Sequence, residues 1–204
     1  MRINKKKFIY LISPNKIKKS FYHDLNEVLK IKKVSFFQLR LKNTSFKKKL
    51  TIGKKIKKIC KKNNKKFLIN DDVKLAKKLN SDGCHLGQKD MKILEARKHL
   101  KNKIIGITCH NSIKLANAAI RDKADYLAFG AFNVSKTKKT KHKANLNLLK
   151  KIKKITKTPI VAIGGINSNN YQKLLLNNAN FLAISSYVWK NKKFKPIEAI
   201  KYLK

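Results

Sequence analysis

The sequence predicts an α/β fold, a single (β/α)8 TIM barrel forming one domain over residues 1–204. Three observations support this. Short apolar runs rich in β-branched and aromatic residues alternate with longer stretches of helical period, the pattern of βα units. There are eight such runs. Polar and glycine residues crowd the positions just after them, where a barrel of this kind gathers its chemistry. A doubly wound open sheet would give the same alternation, and the strand count favours the barrel.

In order, strands are expected near Phe8–Ser13, Ser35–Leu39, Phe67–Ile69, Gly83–Leu86, Ile104–Thr108, Tyr126–Phe129, Ile160–Ile163 and Phe181–Ile184. Helices are expected near Ser20–Leu29, Ser45–Asn63, Val73–Leu79, Met91–Leu100, Ser112–Arg121, Leu146–Thr156, Asn169–Asn178 and Pro196–Tyr202. Ser45, Ser112 and Asn169 stand where an N-cap belongs. Pro159 ends the sixth helix and leads into a strand. The longest connection, Gly130 to about Asn145, is of a length usually tied to function.

Composition narrows the classes of function. Lys and Arg number 52 against 10 acids, a formal net charge of +42. A nucleic-acid binder would gather that charge on one face, with aromatics interleaved. Here lysines run along the whole chain beside Asn and Ile, as in Lys54 to Lys66 and Lys150 to Lys157. They read as solvated helix faces, with polyanion attraction at low salt the alternative. Cys60, Cys84 and Cys109 form no CxxC pair, so neither a disulfide framework nor a zinc site is expected. The apolar run from Phe8 to Ser13 is too short for a signal sequence or membrane span, so a cytoplasmic location is expected.

The ten acids are informative because they are scarce. Asp71 and Asp90 follow neighbouring strands, where their carboxylates could meet on one hard cation; equally, Asp71 or Asp72 could cap the helix at Val73, and Asp90 the helix at Met91. Gly164-Gly165, after the seventh strand, with Ser185 and Ser186 after the eighth, would form a cup for a phosphate monoester; alternatively the glycines serve only a tight turn. Lys138 taken alone reads as solvated. His85 and His110 read as hydrogen-bonded packing residues more readily than as bases.

Taken together, QLRLK (Gln38 to Lys42), LINDD (Leu68 to Asp72), DGCHLGQKD (Asp82 to Asp90), IIGITCHN (Ile104 to Asn111), SKTK (Ser135 to Lys138) and VAIGGIN (Val161 to Asn167) resemble motifs of the thiamine phosphate synthase family, in order, from about Phe8 to Val188. The resemblance implies an Mg2+-dependent transferase of thiamine biosynthesis that joins a hydroxymethylpyrimidine diphosphate to hydroxyethylthiazole phosphate, or its carboxylated precursor, and releases pyrophosphate.

Position by position, the resemblance implies that Gln38, Leu39, Arg40, Leu41, Lys42, Asn70, Thr108 and Lys138 hold the pyrimidine diphosphate, and that Asp71 and Asp90 hold Mg2+. Ser135, Lys136, Thr137, Gly165, Ser185 and Ser186 would hold the thiazole phosphate, with Lys138, Thr108 and Arg40 as catalytic groups. Small phosphorylated molecules are thus the expected partners, with no specific nucleic acid and no membrane; oligomeric state stays open. Leu41, Lys89, Ala131, Ser135 and Phe181 depart from the family pattern, and Phe181, in place of a usual glycine, demands new space in the barrel wall. A thiazole tautomerase with the same barrel, using His110 as proton shuttle, and a basic nucleic-acid-binding protein are the rival readings.

Overall fold

The computed structural model describes residues 8–133 and 142–203. Eight strands, all parallel, close into a barrel in sequence order. They are β1 (Ile9–Ile12), β2 (Val34–Leu39), β3 (Lys66–Asn70), β4 (Gly83–Leu86), β5 (Ile104–His110), β6 (Tyr126–Gly130), β7 (Ile160–Ile163) and β8 (Phe181–Ile184). Closure is made by β1 and β8, which pair Ile9 with Leu182, Tyr10 with Ala183 and Leu11 with Ile184.

The surrounding helices are α1 (Phe21–Leu29), α2 (Phe46–Lys62), α3 (Val73–Leu79), α4 (Ile93–Leu100), α5 (Ile113–Arg121), α6 (Leu146–Ile155), α7 (Tyr171–Leu176), α8 (Ser186–Trp189) and α9 (Pro196–Lys201). In α2 the buried residues are Gly53, Ile56 and Cys60, while Lys54, Lys55, Lys58, Lys61 and Lys62 are exposed. The lysine-rich stretch is therefore a solvated helix face with an apolar stripe beneath it.

Each strand is buried on both faces, so the core has two layers. Outward residues such as Leu11, Phe37, Phe67, Ile69 and Phe129 pack beneath the helices. Inward residues fill the barrel: Tyr10, Ile12, Leu68, Tyr126, Ala128, Val161 and Ala183, with Phe36, Ile104, Ile163 and Phe181 against them. Phe181 finds its space here, edge-on to Phe36 at a centroid distance of 5.0 Å. Phe36 in turn lies 5.3 Å from Tyr10, so the substitution fills the barrel interior rather than distorting its wall.

Some elements differ from expectation for local reasons. The helix expected from Met91 begins at Ile93, because Asp90 accepts the Gly87 N–H at 2.7 Å and closes a turn ahead of it. Asn169 does not cap α7: Asn167 accepts its N–H, and the N-cap is Asn170. The short α8 was not expected at all, and follows β8 at once. Ser45 and Ser112 cap α2 and α5 as read from sequence.

Gly106 in β5 is a packing requirement. A Cβ there would lie 1.9 Å from Cζ of Tyr126. Overpacking of this kind costs about 1–3 kcal/mol. Gly106→Ala should lower the urea midpoint accordingly, and an unchanged midpoint would show that Tyr126 moves aside freely.

Candidate active site

The C-terminal ends of the strands open into one cavity of about 560 Å³. Gln38, Arg40 and Lys42, at alternate positions running out of β2, all line it. The intervening residues point the other way. Leu39 is 2% exposed within the layer beneath the helices and Leu41 packs against the same layer. Strand parity leaves these two leucines only their backbone to offer to the cavity.

At the ends of β3 and β4, Asn70, Asp71 and Asp90 line the cavity. The choice between cap and cavity residue is resolved by Asp72, which caps α3 by accepting the Leu75 N–H at 2.9 Å and pairs with Lys49 at 2.8 Å. Asp71, at φ 64°, is turned away from the helix. Its Oδ2 receives the Lys42 ammonium at 2.5 Å, and its carboxyl is hydrogen-bonded to that of Asp90.

The two carboxyls titrate as a pair. Burial pushes Asp71 up, but the hydrogen bonds from Lys42 and Asp90 outweigh it and hold Asp71 below its ordinary value. Burial, then the Asp71 carboxylate, raise Asp90. The two carboxyls thus oppose one another's ionisation, because like charges close together in a partly buried site repel. Among the described residues no group of three or more His, Cys, Asp or Glu side chains gathers as a metal cage. Two carboxylates beside an open cavity instead suit a hard cation that keeps other ligands from water and substrate.

Across the barrel, Gly164, Gly165, Ile166, Ser185 and Ser186 line the same cavity. Gly164 and Gly165 lie at φ 107° and 58°, a conformation that favours glycine, and a Cβ on Gly164 would fall 2.4 Å from that of Ala131. Ser185 is tied to β1 by donating to the Ser13 carbonyl at 3.2 Å. Ser135, Lys136, Thr137 and Lys138 lie outside the described residues.

The cavity floor also holds two phenols, Tyr10 and Tyr126, that reading the sequence for sites did not single out. The Gln38 Nε2 donates to the Tyr10 hydroxyl at 2.8 Å, and Tyr10 and Tyr126 share a hydrogen bond of 2.7 Å. Tyr126 meets His85 Nδ1 at 2.8 Å, and His85 Nε2 meets the Thr108 hydroxyl at 2.9 Å. Gln88 donates to the Thr108 carbonyl. His85 is thus a hydrogen-bonded packing residue that also lines the cavity. His110 stacks on His142, ring centroids 4.1 Å apart, at the wall. The available signal for the floor was Gly106, since a glycine inside a strand marks a close approach.

A family model described as thiamine monophosphate synthase matches residues 9–188. The chain belongs to that family. Among this family's curated members, a thiamine-phosphate synthase of Pelagibacter ubique (strain HTCC1062) is 69% identical over 207 residues, covering 100% of both chains. One from Erythrobacter litoralis (strain HTCC2594) is 37% identical, covering 94% of this chain and 92% of its own. A solved thiamine phosphate pyrophosphorylase from Pyrococcus furiosus superposes with a TM-score of 0.85 at 29% identity, covering 98% of this chain and 95% of that one. Thiamine monophosphate synthase family membership and the closed barrel therefore agree, and no helix among the described residues is long and apolar enough to cross a membrane.

Because folding raises the Asp90 carboxyl, its ionised form destabilises the fold above the unfolded-state value, and stability is recovered as pH falls through the raised one. In metal-free buffer at pH 7, Asp90→Asn should therefore melt above the parent, with the gap closing toward acid pH. A variant that melts lower at every pH would refute the pairing.

Proposed function

We infer that the chain is a transferase that joins 4-amino-2-methyl-5-(diphosphooxymethyl)pyrimidine to hydroxyethylthiazole phosphate, giving thiamine phosphate and pyrophosphate. The observation that carries this reading is the division of one cavity into two anion-holding arcs. Arg40, Lys42 and the Asp71–Asp90 pair stand on the β2–β4 side, while Gly164, Gly165, Ser185 and Ser186 stand on the β7–β8 side. Strands β3 and β7 are four apart in a barrel of eight, so the arcs face each other. A tautomerase needs only the second arc.

The reaction breaks the bond between the pyrimidine methylene carbon and the diphosphate oxygen, whose electron pair leaves with pyrophosphate. A new bond forms from the thiazole nitrogen to that carbon. An electron-rich aminopyrimidine stabilises positive charge on the methylene, so no nucleophilic side chain is needed. The protein's work is to neutralise the leaving group and to hold the nucleophile in line.

Arg40 and Lys42 supply fixed cations for the diphosphate, and Lys138, assigned from the sequence alone, would add a third. Asp71 and Asp90 would hold Mg2+, which supplies charge neutralisation at the diphosphate oxygens when bound. Gly165, Ser185 and Ser186 offer backbone and hydroxyl donors to the thiazole phosphate, with Ser135, Lys136 and Thr137 assigned to the same phosphate by sequence. Gln38, Asn70 and Thr108 orient the pyrimidine. Partners are therefore small phosphorylated molecules, and a cytoplasmic site of action accords with that chemistry.

Incubation with both substrates and Mg2+ should yield thiamine phosphate by mass spectrometry, and the thiazole alone should be returned unchanged. Asp71→Ala should lose at least a hundredfold in turnover while keeping its circular dichroism; EDTA-resistant activity near the parent level would overturn the metal assignment. Mg2+ should also raise the melting temperature of the parent and leave that of Asp71→Ala unchanged. Lys138→Ala should lower kcat about a hundredfold with the KM for thiazole phosphate little altered, and a collapse of that KM instead would move the lysine to the other substrate.

A further inference from the structure

Two lysines pair with the two adjacent carboxylates that follow β3, and they are held differently. Lys49 meets Asp72 Oδ2 at 2.8 Å with both side chains less than a quarter exposed, and Asp72 is itself fixed by capping α3. Lys42 is fixed only at its backbone, where the Thr44 hydroxyl donates to its carbonyl at 3.2 Å. Its side chain is 55% exposed. Among the described residues its ammonium has one hydrogen-bond acceptor, Asp71 Oδ2, at 2.5 Å.

Lys42 also has room to move. With Asn70, Asp71 and Asp90 it lines both the substrate cavity and a second cavity of about 570 Å³, so it stands at the boundary of the two. Arg40, two positions earlier on the same face of the chain, lines the substrate cavity alone. A lysine ammonium on a flexible four-carbon stem can exchange one anionic partner for another without any movement of the backbone.

An ammonium on Asp71 Oδ2 and a divalent cation on the same carboxylate exclude one another, because two cations that close repel. With Lys42 in place, Asp71 and Asp90 together present one uncompensated negative charge to a metal; without it they present two. A bare metal ion must therefore push the ammonium into water. A metal ion that enters with a diphosphate need not, because the diphosphate brings anionic oxygens on which the ammonium can make charge-assisted hydrogen bonds.

We propose that Lys42 is the internal counterion of the Asp71–Asp90 pair and exchanges Asp71 for the diphosphate when metal and diphosphate enter together, so that the site disfavours the bare metal ion and favours its diphosphate complex. This rests on the metal and diphosphate assignments proposed above, and adds to them a coupling between the two ligands. The same exchange run backwards serves release: as the ammonium returns to Asp71 it competes with the metal for that carboxylate and loosens the metal pyrophosphate product.

The test is calorimetric binding of Mg2+ alone and of premixed Mg2+–pyrophosphate at pH 8, well above the range in which carboxyls ordinarily titrate. Lys42→Gln removes the charge and keeps a hydrogen-bond donor. It should bind Mg2+ alone roughly three- to tenfold more tightly than the parent, and the pyrophosphate complex about tenfold more weakly. That inversion is the signature of an exchanged counterion. A lysine that served the diphosphate alone would leave the affinity for bare Mg2+ unchanged, and one that merely supported the fold would weaken both ligands; either result overturns the proposal.

Lys42→Arg keeps the charge and should hold the affinity for bare Mg2+ within about twofold of the parent, whereas tightening equal to that of Lys42→Gln would show that charge is not the cause and would overturn it too. Should Lys42→Gln fail to fold, Lys42→Met removes the same charge. A parent that binds neither Mg2+ nor its pyrophosphate complex refutes the metal assignment itself. One that binds the complex, with no tightening of bare Mg2+ in Lys42→Gln, refutes only the counterion.

Discussion

Closure of the sheet between β1 and β8 is the constraint on which the site depends. It is made by three register pairs, Ile9 with Leu182, Tyr10 with Ala183 and Leu11 with Ile184. It is reinforced where the strands end: Trp189 donates its indole N–H to the Ile12 carbonyl at 2.7 Å, and Ser185 donates to that of Ser13. Because the strands are parallel, closure brings all eight C-terminal ends into one ring, and residues from all eight strands share one cavity. Closure also fixes parity. Gln38, Arg40 and Lys42 face in, and Leu39 and Leu41 must face out.

The strands and most helices were legible because a parallel barrel writes each element as an apolar run or a helical period. The short helix after β8 was not: Ser-Tyr-Val-Trp continues an apolar run, and four residues are too few to show a helical period. The cavity's rim was legible for a related reason. Charged and polar residues just beyond apolar runs are conspicuous, and so Arg40, Lys42, Asp71 and Asp90 stood out. What the sequence left open for Asp71 and Asp72 was which of two adjacent carboxylates caps the helix, and a positive φ at Asp71 is what separates them.

The floor was far less legible, because inward and outward positions of a strand buried on both faces carry the same kinds of residue. All four residues of β1 and all five of β6 are buried. Tyr10 and Tyr126 therefore read as ordinary core aromatics, and nothing local says that their hydroxyls meet inside the barrel. The lysines present the converse case. They are the most conspicuous feature of the composition, yet in α2 they occupy a solvated face, and surface charge of this kind bears on association and solubility more than on fold.

Carboxylates and basic side chains are thus separated by depth from the hydrogen-bonded floor. The rim carries Arg40, Lys42 and two acids, whereas the floor is built of an amide, two phenols, an imidazole and a hydroxyl. For a reaction in which a diphosphate departs from a carbon that becomes electron-poor, that separation is physically apt. Cations near the departing oxygens lower the barrier, but a cation beneath the pyrimidine ring would oppose the charge that the ring must share. A fixed anion there would trap that charge and slow its capture by the thiazole nitrogen. A floor of mutually satisfied hydrogen-bonding groups brings neither a carboxylate nor an ammonium there, and that satisfaction is what makes so much buried polarity tolerable inside a barrel.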